Sequence, residues 1–126
     1  MKNIKNWLIK GMSIGDKAND YYVSSLLHEA TRFGKESVVV RLLAKGDDPN
    51  AKNIWGHTPL HLAILHDRRS IAKLLIEHGA DVNAFSDWSG TTPLTVARNY
   101  RRHELYALLV KHGAVLWQKK VKNETH

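Results

Sequence analysis

The feature that most limits what this chain can become is its agreement with itself. Residues 26–51, LLHEATRFGKESVVVRLLAKGDDPNA, align without a gap to residues 59–84, PLHLAILHDRRSIAKLLIEHGADVNA, at an offset of 33. His28 falls on His61, Ala30 on Ala63, Leu42 on Leu75, Gly46 on Gly79, Asp48 on Asp81 and Asn50 on Asn83. A third copy, residues 92–114, follows residues 58–80 at an offset of 34, with the extra residue between Phe85 and Thr91. A unit this short cannot bury its apolar side alone. Such a chain therefore folds as a row of like units, each covering its neighbour.

Each copy reads as two helices. Thr58 suits an N-cap, its hydroxyl accepting from a free backbone N–H, and Pro59 suits the first helical position, where a missing N–H costs nothing. Thr92 and Pro93 repeat the device, and Ser25-Leu26 is a weaker form of it. The second copy's first helix is expected to end near His66. A second helix is expected from about Ser70 to His78, with Ile71, Leu74 and Leu75 forming an apolar stripe at helical spacing. Gly46, Gly79 and Gly113 follow the second helices, where a left-handed residue closes the last turn. Extended, turn-rich links complete the units, and the fold class is all-α.

The period of 33, TPLH, the LL-x-x-G-A-D-x-N-A segment and the glycine before TPLH resemble ankyrin repeats. GHTPLHLA and LLIEHGADVNA match that pattern closely, and the resemblance covers residues 24–115. It implies a solenoid of stacked helix-turn-helix units with hairpin-like fingers along one edge. The expected organisation is an N-terminal cap at 1–23 (a degenerate half-repeat, second helix only), repeats at 24–56 and 57–90, a third repeat serving as C-terminal cap at 91–117, and a basic flexible tail at 118–126. Ile4, Leu8 and Ile9 would pack on the first full repeat, with Lys2, Lys5 and Lys10 in water. A basic amphipathic helix on a membrane surface is the rival reading of that segment. Val115, Leu116 and Trp117 would cover the last repeat.

Composition removes several classes of function. The chain has 126 residues and no cysteine, so disulfides, zinc-thiolate sites and thiol catalysis are excluded. Its apolar runs, such as Trp7-Leu8-Ile9, are a few residues long and fall far short of the roughly 20 residues of a membrane span. The absence of cysteine fits a reducing compartment. A cytoplasmic location is expected, in the cell of origin or in another cell entered as a delivered effector. The net charge of +7 favours an acidic partner, although solubility alone is a sufficient reason for it.

His57, His61 and His66 look like a metal or catalytic cluster. His57, however, precedes the Thr58-Pro59 cap and so lies outside the helix. His61 and His66, five apart, diverge by about 500° around a helix. The third copy carries Thr95 where the second has His61, which suits a polar structural bond better than a metal bond. The resemblance implies the same, with His28 and His61 knitting the turn to the neighbouring repeat. Phosphate-cradling loops and nucleophile elbows are missing. No catalytic residue, metal or cofactor is expected. Asp48, Asp81, Asn50 and Asn83 read as turn chemistry. The resemblance also raises enzymatic hydroxylation of Asn50 or Asn83.

Binding information should reside where the copies differ. Trp55 and Trp88 stand at matching places before the glycine that precedes each helix, at or near finger tips. Large exposed aromatics anchor interfaces. The alternative is that each ring lies flat on the next finger and stiffens the row. Phe85 belongs to the same patch. Phe33, His66 and Tyr100 match at the ends of the first helices, preceded by Arg32, Leu65 and Asn99. The resemblance places these positions beside a concave groove used for partners, and filling of the helix-turn-helix corner is the alternative. Lys35, Arg68 and Arg102 coincide as well, flanked by Arg69 and Arg101, and form a basic ladder suited to electrostatic steering or simply to a solvated face. The expected function is non-catalytic protein–protein recognition by a monomeric adaptor, scaffold or inhibitor. No small-molecule substrate or membrane is expected, and the partner is an unknown protein with an acidic patch. An electrostatic nucleic-acid binder is the rival, without a stacking motif to support it.

Overall fold

A computed structural model of the chain describes residues 25–116, which form three helix-turn-helix pairs. The first pair is α1 (Leu26–Arg32) and α2 (Glu36–Lys45), the second α3 (Pro59–Leu65) and α4 (Arg69–Glu77), and the third α5 (Pro93–Asn99) and α6 (His103–Lys111). Among the described residues no strand forms; Ser86 and Thr91 make one isolated antiparallel bridge. The all-α solenoid expected from the repeat is the observed architecture. The half-repeat expected at 1–23, Trp117 and the tail at 118–126 lie outside the described residues.

Local chemistry starts each first helix. The side chains of Ser25, Thr58 and Thr92 accept from the backbone N–H groups of His28, His61 and Thr95. Each bond satisfies one of the donors that a helix start leaves open. Pro59 and Pro93 occupy first-turn positions. Beyond α2, α4 and α6, Gly46, Gly79 and Gly113 take φ of 105°, 97° and 95°, the left-handed cap that the sequence foreshadows.

Packing joins the units. α3 lies between α1 and α5, and α2 packs on α4. The seam is a continuous apolar core that includes Leu27, Val39, Leu43, Leu60, Ile64, Ile71, Leu75, Leu94, Leu105 and Leu109, all buried. Each such side chain contributes about 2 kcal/mol relative to leaving it in water. The extended links between units fold back on themselves as fingers. In the first, Asn53 N–H donates to the His57 carbonyl at 3.0 Å and Gly56 N–H to the Asn53 carbonyl at 2.8 Å. In the second, Ser86 N–H donates to the Thr91 carbonyl at 2.8 Å and Gly90 N–H to the Ser86 carbonyl at 2.7 Å. The one-residue insertion is absorbed here, by a tip turn one residue wider.

Candidate recognition surface

The histidines form a fastening. His28 Nε2 lies 2.9 Å from the His57 carbonyl, and its Nδ1 lies 2.7 Å from Ser25 Oγ. His61 repeats this one unit along, with Nε2 3.1 Å from the Thr91 carbonyl and Nδ1 3.0 Å from Thr58 Oγ1. Because a carbonyl only accepts, Nε2 carries the proton. Nδ1 then accepts, from the hydroxyl and, in His61, also from Thr58 N–H at 3.2 Å. Both rings are buried and neutral. Burial pushes the His61 pKa down to about 4, against a smaller upward pull from the Thr91 carbonyl, and burial lowers His28 as well. Among the described residues Thr95 has only the local half of the device, a 3.1 Å contact with Thr92 Oγ1. His57 is half-buried, its ring centroid 5.5 Å from that of His61, and its pKa is lowered by burial. Among the described residues no three His, Asp or Glu side chains converge to hold a metal ion.

The asparagines are clamps of the same kind. Asn50 donates through Nδ2 to the Gly79 carbonyl at 3.0 Å and accepts at Oδ1 from Asp81 N–H at 2.7 Å. Asn83 does so to the Gly113 carbonyl and from Val115 N–H, at 3.2 and 2.9 Å. Asp48 and Asp81 fix the turns before them by accepting from Asn50 N–H and Asn83 N–H.

The basic ladder is not the free row that the spacing suggests. Arg68 donates from Nε and Nη2 to the Arg32 carbonyl at 3.2 and 3.0 Å. Arg102 donates to the carbonyls of Ile64 and Leu65 at 3.2 and 2.6 Å. Both guanidinium groups thus cap the last carbonyls of the preceding unit's first helix, where a cation meets the negative end of the helix dipole. Arg69 pairs with Asp67 and reaches across to Glu104. The Arg69 interaction holds the Asp67 carboxyl below its ordinary pKa. Lys35 and Arg101 stay exposed. Arg68 and Arg102 thus serve as bonds between units. The sequence misses this because offsets align residues within units and say nothing of a side chain's reach across units.

The aromatic positions behave differently. Phe33, His66 and Tyr100 each cap the C-terminal end of a first helix and are exposed, Phe33 at 56% and Tyr100 at 54%. Arg32, itself exposed and bridged to Glu29, lies over the Phe33 ring at 4.9 Å. Asn99 is exposed and Leu65 half-buried. Burial lowers the His66 pKa, and the charges of Arg32, Arg68 and Arg102 lower it further. Trp55 and Trp88 sit in the two tip turns with 42% and 64% of their surface in solvent. Ile54, exposed beside Trp55, joins the patch; it breaks the usual polarity of a turn and could have been read from that. Phe85 is half-buried behind the tips, its carbonyl accepting from Lys52 Nζ at 3.0 Å. Between finger and helices opens a groove of about 180 Å³, lined by His57, Leu62, Leu65, Ser89, Val96 and Tyr100.

The family model for ankyrin repeats, in three copies, matches residues 27–120. An ankyrin repeat-containing protein of Schizosaccharomyces pombe is 41% identical over 63 residues, covering 50% of this chain and 30% of the relative. A potassium channel of Oryza sativa subsp. japonica is 40% identical over 85 residues, 68% of this chain and 10% of its own length. Rabankyrin-5 of Mus musculus is 34% identical over 85 residues, 68% of this chain and 7% of its own length. The chain thus spans less than a third of these curated relatives. The shared part is the repeat unit, set within proteins of different kinds.

Proposed function

The chain belongs to the ankyrin repeat family, whose repeats are generally protein–protein interaction modules, and from that premise we propose that it is a non-catalytic recognition module that captures its partner by the finger tips and the adjoining groove. The observation that carries this reading is a division of labour. The polar residues that repeat (His28, His61, Asn50, Asn83, Arg68, Arg102) are committed to bonds between units. The large apolar residues at the finger tips and first-helix ends remain in solvent: Trp55, Trp88, Phe33 and Tyr100. Exposed aromatic side chains of this size are the usual energetic centres of protein interfaces. His66, Arg32, Leu65, Asn99 and Phe85 complete the contact surface. Lys35 and Arg101 favour an acidic partner, raising the association rate more than the final affinity.

The double substitution Trp55→Ala, Trp88→Ala tests the reading. Partner capture is expected to fall at least about tenfold, a loss of about 1.4 kcal/mol, with the melting temperature unchanged. Equal loss of stability and capture would assign both rings to the scaffold. Retained capture with intact stability would move the interface elsewhere.

A further inference from the structure

The two gaps between outer helices are built from different residues. The second gap, between α4 and α6, opens into a cleft of about 400 Å³. Its lining includes Lys73 from α4 and Leu105, Ala107, Leu108 and Lys111 from α6. Under the repeat offsets, the positions held here by Lys73, Ala107 and Lys111 are held in the first gap by Val40, Lys73 and Glu77. The first gap therefore sets an apolar stub against a long aliphatic stem, with a carboxylate at hand. The second sets two like charges about a lone methyl group. Like charges repel and alanine leaves space unfilled, so the second gap has an apolar floor and a cationic rim.

The rim is not balanced from within. Neither Lys73 nor Lys111 has a carboxylate partner among the described residues. Glu104, the acidic member of the rim, is bonded to Arg69, which also holds Asp67. From this we infer that the α4–α6 cleft is a second docking site, distinct from the finger surface, for an acidic segment of another protein with an aliphatic side chain at its centre. The side chain fills the space over Ala107 against Leu108, and carboxylates on either side reach Lys73 and Lys111. Desolvated apolar contact supplies affinity and the lysines supply orientation and rate. With one site at the finger edge and another on the outer helices, the module joins two partners rather than holding one.

Methyl and amide correlation spectra of the full chain, titrated with a synthetic peptide of two leucines flanked by glutamates, test this site. Resonances of Ala107 and Leu108 are expected to shift and saturate. Ala107→Lys is the decisive variant. It installs the residue that the second repeat already carries at the matching position, on an exposed surface, so folding is retained. It also adds positive charge. Occupation of the cleft predicts binding at least about tenfold weaker, because the new side chain fills the space. Attraction by charge alone predicts tighter binding, and that result overturns the proposal. Lys73→Glu with Lys111→Glu is expected to weaken binding similarly, whereas Trp55→Ala with Trp88→Ala leaves it unchanged. Shifts centred on Leu62 and Val96, equal binding of a peptide with serines in place of leucines, response to phosphatidylserine vesicles but not to the peptide, or concentration-dependent shifts of the chain alone would each overturn it.

Discussion

The junction between the first and second units and the junction between the second and third have the same polar fastenings but different fillings. At both, an imidazole or amide reaches across to a backbone carbonyl, and an arginine caps the helix end behind it. The apolar positions have drifted. Thr31 is buried at the first junction where Ile64 is buried at the second, and among the described residues Thr31 Oγ1 has no hydrogen-bond partner. The left-handed turn between paired helices is Gly34 in the first unit, Asp67 in the second and Arg101 in the third. Backbone carbonyls recur at fixed spacing, so the groups that meet them must recur too. Packing accepts many solutions, so it varies.

The largest test of this contrast replaces His61 with the residue that the third unit uses there. His61→Thr keeps a hydroxyl contact to Thr58 but cannot reach the Thr91 carbonyl. Unfolding in urea should show a loss of about 2–3 kcal/mol, from an unsatisfied carbonyl and lost volume. A loss below about 0.5 kcal/mol would show that the cross-unit bond is dispensable. Acid probes the same fastening. The folded pKa of His61, about 4, lies below the ordinary 6.5, so between these values the unfolded chain binds more protons. Stability is therefore full above pH 6.5 and falls as pH drops toward 4, by about 2 kcal/mol between pH 7.5 and 5 from His61 alone. His28, shifted in the same direction, adds to the slope. His61→Thr should flatten the profile, and an equally steep one would place the acid sensitivity elsewhere.

The fillings give smaller effects of opposite sign. Thr31→Val removes an unpartnered buried hydroxyl at constant shape and should raise stability by about 1 kcal/mol. A decrease on thermal melting would show that the hydroxyl is satisfied after all. Arg101→Gly relieves a left-handed residue (φ 55°) and should gain about 0.5 kcal/mol. The mirror change Gly34→Ala should lose more, because a Cβ there lies 3.0 Å from the Arg68 guanidinium. If the two changes act alike, the turn tolerates any residue and the contrast among units is empty.

Much of the fold was legible before any coordinates. Thr58-Pro59 and Thr92-Pro93 announce helix starts because cap chemistry is local, and the glycines after α2, α4 and α6 announce their ends for the same reason. The equivalence of His28 and His61 followed from the offset. The recognition surface was legible only as positions. That Trp55 and Trp88 stand in solvent depends on how neighbouring fingers lie, which no residue states alone. Arg101 hid its left-handed backbone behind a residue type that seldom adopts it, whereas Asp67 is of a type that visits it more readily. The reach of Arg68 and Arg102 to backbone carbonyls is hidden in the sequence because those carbonyls are 36 to 38 residues away.

By itself the sequence determined the repeating unit, its helix caps and its three copies, because these rest on interactions within a few residues and on a period that repeats them. Tertiary structure alone decided which polar groups are occupied and which surfaces stay open. Those outcomes depend on contacts between units about thirty residues apart, where a side chain's reach and its neighbour's bulk, rather than its type, determine whether it fastens the stack or faces a partner.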